Sequence, residues 1–276
     1  MNELALFAGS GGGILGGHLL GWRTVAAVEI EDYPRRVLLQ RQADGFLPRF
    51  PVWDDICTFD GKPWRGRVDV ISGGFPCQDI SAAGKGDGLD GERSGLWTQM
   101  ARVVGEVRPP FVFVENSPML TTRGGVRVIA DLTQMGYDTT WTVMGAADIG
   151  APHQRDRMWI VARRRDVLSY PQHDRIGRGK QQQESPQEED GNVANTASLR
   201  QSGQGQHEQP INSAQGCNWQ TNYVESIGTP NFWQFEPAIP RVADGVAHRV
   251  DRLKAIGNGQ VPLCAASAWR LLTSTW

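Results

Sequence analysis

The sequence predicts an α/β fold in which a mainly parallel sheet carries helices on both faces. Three observations predict it. Short apolar runs of strand length recur at Leu4–Ala8, Thr24–Glu29, Val68–Ser72, Phe111–Glu115 and Met158–Ala162. Longer segments of helical character lie between them, at Tyr33–Arg41, Leu96–Val107 and Gly125–Met135. A glycine-rich turn, Gly9-Ser10-Gly11-Gly12-Gly13, follows the first run directly. Short apolar runs suit strands buried on both faces, and their alternation with helices is the pattern of crossover-connected parallel strands.

The first run starts almost at the beginning of the chain, without the basic start and apolar core of a signal segment. A cytoplasmic location is the expectation. The turn after it lets backbone amides approach a nucleotide or amino-acid group closely. At this turn the pattern Gly-x-Gly-x-x-Gly fits at Gly11–Gly16. The second run ends at Glu29, and 29 − 9 = 20 residues separate it from the first glycine. A carboxylate at that distance commonly binds ribose hydroxyls. These features alone do not separate NAD, FAD and S-adenosylmethionine.

The third run leads into Gly73-Gly74-Phe75-Pro76-Cys77-Gln78. In a doubly wound sheet the carboxyl ends of strands line the ligand crevice. Cys77 therefore falls on a turn at that edge, with Pro76 fixing the local backbone. A thiol of ordinary pKa, about 8.5, is only a few per cent thiolate at neutral pH yet strongly nucleophilic. Glycines and a proline around it, in place of aliphatics, distinguish it from a core cysteine. The fourth run ends on Glu115, and the fifth is preceded by Arg155 and Arg157. Residues 166–230 are rich in Gln, Ser, Asn and Gly, which leaves little to bury near 177–215. Val261–Leu272 reads as an apolar helix that rejoins the core.

Composition sets bounds. The 276 residues are 39% hydrophobic and 21% charged, which allows one large domain, or one large and one small. No run of 18 apolar residues exists, so no membrane span is expected. The four cysteines, Cys57, Cys77, Cys217 and Cys264, form no Cys-x-x-Cys pair. That argues against a disulfide framework or a metal site. Net charge is −2 with a pI near 6.2. Any nucleic-acid surface must come from local clusters, such as Arg155, Arg157, Arg163, Arg164 and Arg165.

The stretch Gly74-Phe75-Pro76-Cys77-Gln78 resembles the signature of the cytosine carbon-5 DNA methyltransferases of bacterial and phage type. Other motifs follow in that family's order. Phe7-Ala8-Gly9-Ser10-Gly11-Gly12 resembles its cofactor loop, and Asp55-Ile56 its adenine-contacting pair. Glu115-Asn116 resembles its Glu-Asn-Val motif, with Ser117 in place of Val. Arg155 and Arg157 resemble its Gln-x-Arg-x-Arg motif, with His153 in place of Gln. Gly257-Asn258-Gly259 resembles its C-terminal cofactor motif. The match covers residues 1–164 and roughly 235–276.

The resemblance implies a Rossmann-like S-adenosylmethionine-dependent methyltransferase fold with a small irregular target-recognition region. It implies a catalytic and cofactor-binding domain at 1–165, a target-recognition region at 166–236 and a returning segment at 237–276. It implies methyl transfer to carbon 5 of cytosine in double-stranded DNA, on a base flipped out of the stack. Cys77 would add to carbon 6, which makes carbon 5 nucleophilic. Glu115, kept protonated by burial, would donate to ring nitrogen 3. Arg157 would hold the base carbonyl oxygen, and Arg155 would support it or the DNA backbone. The implied cofactor set is Phe7, Gly9, Ser10, Gly11, Gly12, Glu29, Ile30, Asp55, Ile56, Pro76, Leu96 and Asn258, with Asp79 nearby. The glycine-rich stretch Gly84–Gly95 suits a loop that closes over the base. A monomer is expected, with a cognate restriction endonuclease encoded elsewhere as a candidate partner.

Three other readings compete. An RNA cytosine methyltransferase of the transfer-RNA branch would carry a Cys-Phe-Thr signature, and the nearest string, Cys57-Thr58-Phe59, has the wrong order. A DNA-binding relative without activity sits poorly with intact Cys77, Glu115 and Arg157. A nicotinamide oxidoreductase gives no reason for Gly-Phe-Pro-Cys-Gln.

Overall fold

The computed structural model describes residues 1–76, 95–168, 249–274 and 276. Cys77, Asp79, the stretch 84–94 and nearly all of 166–236 lie outside the described residues. Seven strands are described: β1 (Asn2–Leu6), β2 (Arg23–Val28), β3 (Val52–Trp53), β4 (Val70–Gly74), β5 (Phe111–Asn116), β6 (Tyr137–Met144) and β7 (Arg157–Arg164). Six α-helices accompany them: α1 (Gly12–Leu19), α2 (Asp32–Ala43), α3 (Gly95–Val107), α4 (Gly125–Gln134), α5 (Arg249–Asn258) and α6 (Pro262–Thr273).

The strands form one sheet in the order β3-β2-β1-β4-β5-β7-β6. The first five run parallel to their neighbours. β7 runs against β5 and β6. The predicted α/β class with a mainly parallel sheet is what the chain adopts. The reversed β7 matters for the site. It brings the amino end of that strand, Arg157, to the edge where β1, β4 and β5 end. Arg163, Arg164 and Arg165 fall at the opposite edge. There Arg164 pairs with Asp166 at 2.5 Å, Arg165 pairs with Asp138 at 2.7 Å, and the Arg163 guanidinium stacks over Trp276. The arginines that the sequence groups as one basic cluster are thus divided between two edges.

Strand residues alternate between two apolar layers. Leu4, Leu6, Val28, Ile71, Val112, Val114, Ile160 and Ala162 face α3 and α4, whose Trp97, Met100, Val103, Val104, Val128 and Leu132 are almost completely buried. The other face is covered in two parts. Ala5 and Ala27 meet Ile14 of α1 and Leu38 of α2. Val70, Phe113, Trp159 and Val161 meet Cys264, Ala265, Ala268, Trp269 and Leu272 of α6. Phe113 stacks on Trp159 at 5.4 Å, and Trp269 meets Phe113 edge-on at 5.4 Å and Trp22 at 4.7 Å. Each such pair is worth about 0.5–1.5 kcal/mol beyond area burial. These contacts fix the C-terminal helix against the sheet.

α1 is a helix despite Gly12, Gly13, Gly16 and Gly17 among its eight residues. Glycine is a poor helix former, by about 1 kcal/mol each. Contact with the C-terminal segment explains its use. A Cβ on Gly16 would lie 2.7 Å from that of Ala265. One on Gly12 would lie 2.2 Å from the Gln260 carbonyl oxygen. Among the described residues no helix is long and apolar enough to cross a membrane.

Candidate functional site

The turn after β1 is built from backbone that most residues avoid. Phe7 has φ 52°, Gly9 φ 53° and Gly11 φ 93°. A left-handed phenylalanine costs of the order of 1–3 kcal/mol, and such strain concentrates at ligand sites. Glu29, which directly follows β2, holds the turn. Its Oε2 accepts from the Gly9 amide at 2.6 Å and its Oε1 from the Glu31 amide at 2.8 Å. Burial raises the Glu29 carboxyl pKa, while these two amides and Arg35 pull it back. The Ser10 hydroxyl in the same turn is buried without a hydrogen-bond partner.

Beside the turn lies a cleft of about 390 Å³ including its open mouth. Phe7, Gly9, Gly13, Gly73, Gly74, Glu115, Asn258 and Gln260 are among its lining residues. It sits at the carboxyl ends of β1 and β4, where an open α/β sheet binds ligands. Of the sequence-predicted cofactor residues, Phe7, Gly9 and Asn258 line it. Ser10, Gly11 and Gly12 belong to the same turn and helix start. Ile30 is exposed beside Glu29, and Pro76 is exposed at the end of the β4 turn. Leu96 packs against the core. Asp55 accepts from the Cys57 amide at 2.8 Å and so shapes its own turn. Ile56, read from the sequence as an adenine contact, has its side chain in the core and its carbonyl held by Arg102 at 2.6 Å. It fixes the turn that carries Asp55.

β4 and β5 bring the acid to the cleft. Gly74 pairs with Glu115 in the parallel ladder. Glu115 is 8% exposed. Its Oε1 is bridged by the Arg157 Nε at 2.9 Å, and its Oε2 accepts from the Gln260 Nε2 at 3.3 Å. Burial raises the Glu115 pKa. Arg157, Gln260 and Arg155 oppose that rise without cancelling it. An acid so placed holds its proton to higher pH than a surface glutamate does.

The neighbouring Asn116 is a residue whose role the motif alone does not reveal. Its Nδ2 donates to the Phe75 carbonyl at 3.2 Å, and its Oδ1 accepts from the Ser117 amide at 2.7 Å. Phe75 itself is buried against Trp97 at 5.4 Å. The backbone that enters Pro76 is therefore anchored through both the carbonyl and the ring of Phe75. Ser117, where the family pattern has Val, accepts from the Met119 amide at 3.3 Å and caps the short turn Pro118–Thr121.

Arg155 has partners that the sequence does not suggest. Its terminal nitrogen donates to the carbonyls of Ile256, Gly257 and Gly259 at 3.3, 2.7 and 2.5 Å. It thus clamps the last turn of α5, with Gly257 and Asn258, and the following Gly259 against the site. Burial lowers its pKa, and Arg157 lowers it further. The Cys264 thiol is pushed up to about 11 by burial, which leaves it a core residue.

A reversed strand, a glycine turn and a buried carboxylate at one sheet edge define an open α/β protein with a nucleotide-type cleft. The sequence model of the C-5 cytosine-specific DNA methylase family matches residues 1–236, and the chain belongs to that family. Type II methyltransferase M.CviJI of Paramecium bursaria Chlorella virus IL3A is 34% identical over 165 residues, covering 59% of this chain and 43% of that protein. Type II methyltransferase M.Eco47II of Escherichia coli is 32% identical over 173 residues, covering 59% and 40%. A crystal structure described as a DNA modification methyltransferase encoded within an E. coli prophage superposes with a TM-score of 0.50 at 25% identity, covering 60% of this chain and 47% of that one. The matched part spans less than half the length of each of these relatives.

Proposed function

We propose that this chain transfers a methyl group from S-adenosylmethionine to carbon 5 of cytosine within a specific double-stranded DNA sequence. What carries the reading is the buried Glu115, bridged to Arg157 at the floor of the cleft, one strand away from the turn that leads into Cys77. When bound, the donor supplies an electrophilic methyl group on a sulfonium.

The cleft fits such a donor. The strained backbone of Phe7, the left-handed turn at Gly9 and the buried unpartnered Ser10 hydroxyl all suit a ligand laid against backbone. Glu29, Asp55 and Asn258 would hold its polar parts. Ser10, Gly11, Gly12, Ile30, Pro76 and Leu96 would complete the setting.

Extrusion of the base from the duplex costs a few kcal/mol. The Cys77 thiolate adds to carbon 6 of the ring. Glu115 gives a proton or strong hydrogen bond to nitrogen 3 as charge develops there, which its raised pKa equips it to do at neutral pH. Arg157 orients Glu115 and offers its remaining N–H groups to the base carbonyl oxygen. After methyl transfer nitrogen 3 returns its proton to Glu115, and loss of the carbon-5 proton to solvent restores the carbon 5–carbon 6 double bond and expels the Cys77 thiolate. Residues 166–236 would read the target sequence. The protein would work as a monomer in the cytoplasm, with or without a cognate endonuclease.

Bisulfite sequencing of DNA from expressing cells identifies the methylated sequence. Duplexes with that sequence and 5-fluorocytosine at the target are then expected to trap the protein covalently at Cys77 when donor is present. Cys77→Ser should lose both transfer and trapping and still bind DNA. Label from the donor appearing only in transfer RNA, or in neither nucleic acid, would overturn the proposal.

A further inference from the structure

We propose that Gln260 is a positioning residue for Glu115, an amide that orients the buried carboxyl and joins it to the C-terminal cofactor segment. This rests on the reading of Glu115 as the proton donor at ring nitrogen 3.

Three observations support it. The Gln260 Nε2 lies 3.3 Å from the Glu115 oxygen that Arg157 leaves free. The amide occupies space that two glycines vacate. A Cβ on Gly13 would lie 2.6 Å from the Gln260 Oε1, and one on Gly74 would lie 2.3 Å from the Glu115 Oε2 and 3.2 Å from the Gln260 Nε2. Third, its backbone is locked. The Gln260 carbonyl sits over Gly12, and Arg155 clamps the preceding residue at the Gly259 carbonyl. Three separate segments, at Gly13, Gly74 and Glu115, thus converge on one side-chain amide.

The chemistry favours an amide there. Arg157 occupies Oε1, so the transferable proton belongs on Oε2. An amide donates its N–H to an ionised carboxylate and, more weakly, to the lone pair that a protonated oxygen keeps. A glutamine partner therefore holds Glu115 in place on both sides of a proton transfer. An ammonium or second guanidinium would lock the ionised form. The charged groups facing Glu115 are Arg157 and Arg155; Cys264 faces those arginines, and Asp148 faces Cys264.

The test is Gln260→Met, which keeps the side-chain length and removes the amide, with Gln260→Asn as a second variant that keeps the amide but cannot reach. Single-turnover methyl transfer is measured against pH at saturating donor and DNA. Activity requires protonated Glu115, so the rate falls as pH rises through its pKa. Loss of a donor to the ionised form raises that pKa. The descending limb should move to higher pH by about one unit, and the maximal rate should drop about tenfold. Calorimetric binding of S-adenosylhomocysteine should stay within about threefold of the parent. An unmoved limb in a folded variant overturns the inference, as does a loss confined to S-adenosylhomocysteine affinity. If the parent protein methylates no DNA cytosine, the underlying reading fails instead.

Discussion

Gly74→Ala would place one methyl group at the centre of the site. The new Cβ would stand 2.3 Å from the Glu115 Oε2, whereas real Cβ contacts essentially never fall under 3.0 Å. The carboxyl oxygen must therefore retreat by at least 3.0 − 2.3 = 0.7 Å. It cannot do so by rotation alone, because Oε1 is held by Arg157 at 2.9 Å and the Gln260 amide would meet the same methyl at 3.2 Å. A displacement near 1 Å at a reacting group costs about 10²-fold in rate. Overpacking of this kind costs about 1–3 kcal/mol of stability, which in a domain of this size lowers Tm by roughly 2–10 °C. Single-turnover methyl transfer and thermal unfolding read the two effects separately. Gly105→Ala in α3 is the control. Its Cβ would meet nothing nearer than the Met135 Sδ at 3.9 Å, so it should stabilise the helix by about 0.5–1 kcal/mol with unchanged rate. A Gly74→Ala enzyme that methylates within about twofold of the parent rate would refute the claim that the Glu115 position controls the chemistry.

Two further outcomes are expected. Glu3 of β1 is fully buried, accepts from Ser72 at 2.6 Å and Thr24 at 2.7 Å, and has its pKa raised to about 7 by burial. The folded state therefore holds this proton more tightly than the unfolded one, so the contribution of Glu3 to stability falls as pH rises from about 4.5 to about 7. Gln in its place should gain in Tm relative to the parent protein between pH 5 and pH 8, and a difference that does not change with pH would disprove the burial argument. Arg155→Ala should free the Gly257-Asn258-Gly259 segment and weaken S-adenosylhomocysteine binding by about tenfold. Unaltered calorimetric affinity would show that the clamp does not shape the cofactor side of the cleft.

Five of the strands and the helices α3, α4 and α6 are legible in the sequence because their apolar spacing matches their burial, whereas α2 buries only Leu38 and is legible only as a longer segment between strand-length runs. β6 is not. Only Tyr137 and Met144 at its ends are fully buried, so this edge strand lacks an apolar run. α1 was hidden by its glycines, which poor helix propensity argues against and tertiary contact requires. The reversal of β7 was hidden as well, since an apolar run carries no direction. Within the site, Glu115 and Arg157 were legible as a motif, and the structure brings them to 2.9 Å. Gln260 was not, because one polar residue in a turn has no spacing to betray it. The partners of Arg155 were invisible for a related reason. They are backbone carbonyls about a hundred positions away, and carbonyls leave no trace in residue type.

The way Glu29 holds the first turn has a thermodynamic consequence. Each of its oxygens is engaged by a single amide, and an ionised carboxylate has roughly four lone-pair sites. A diol could dock on the unused directions while Gly9 and Glu31 stay where they are. Association would then meet a loop whose ordering was already settled during folding, so little of the binding free energy is consumed in arranging the receptor.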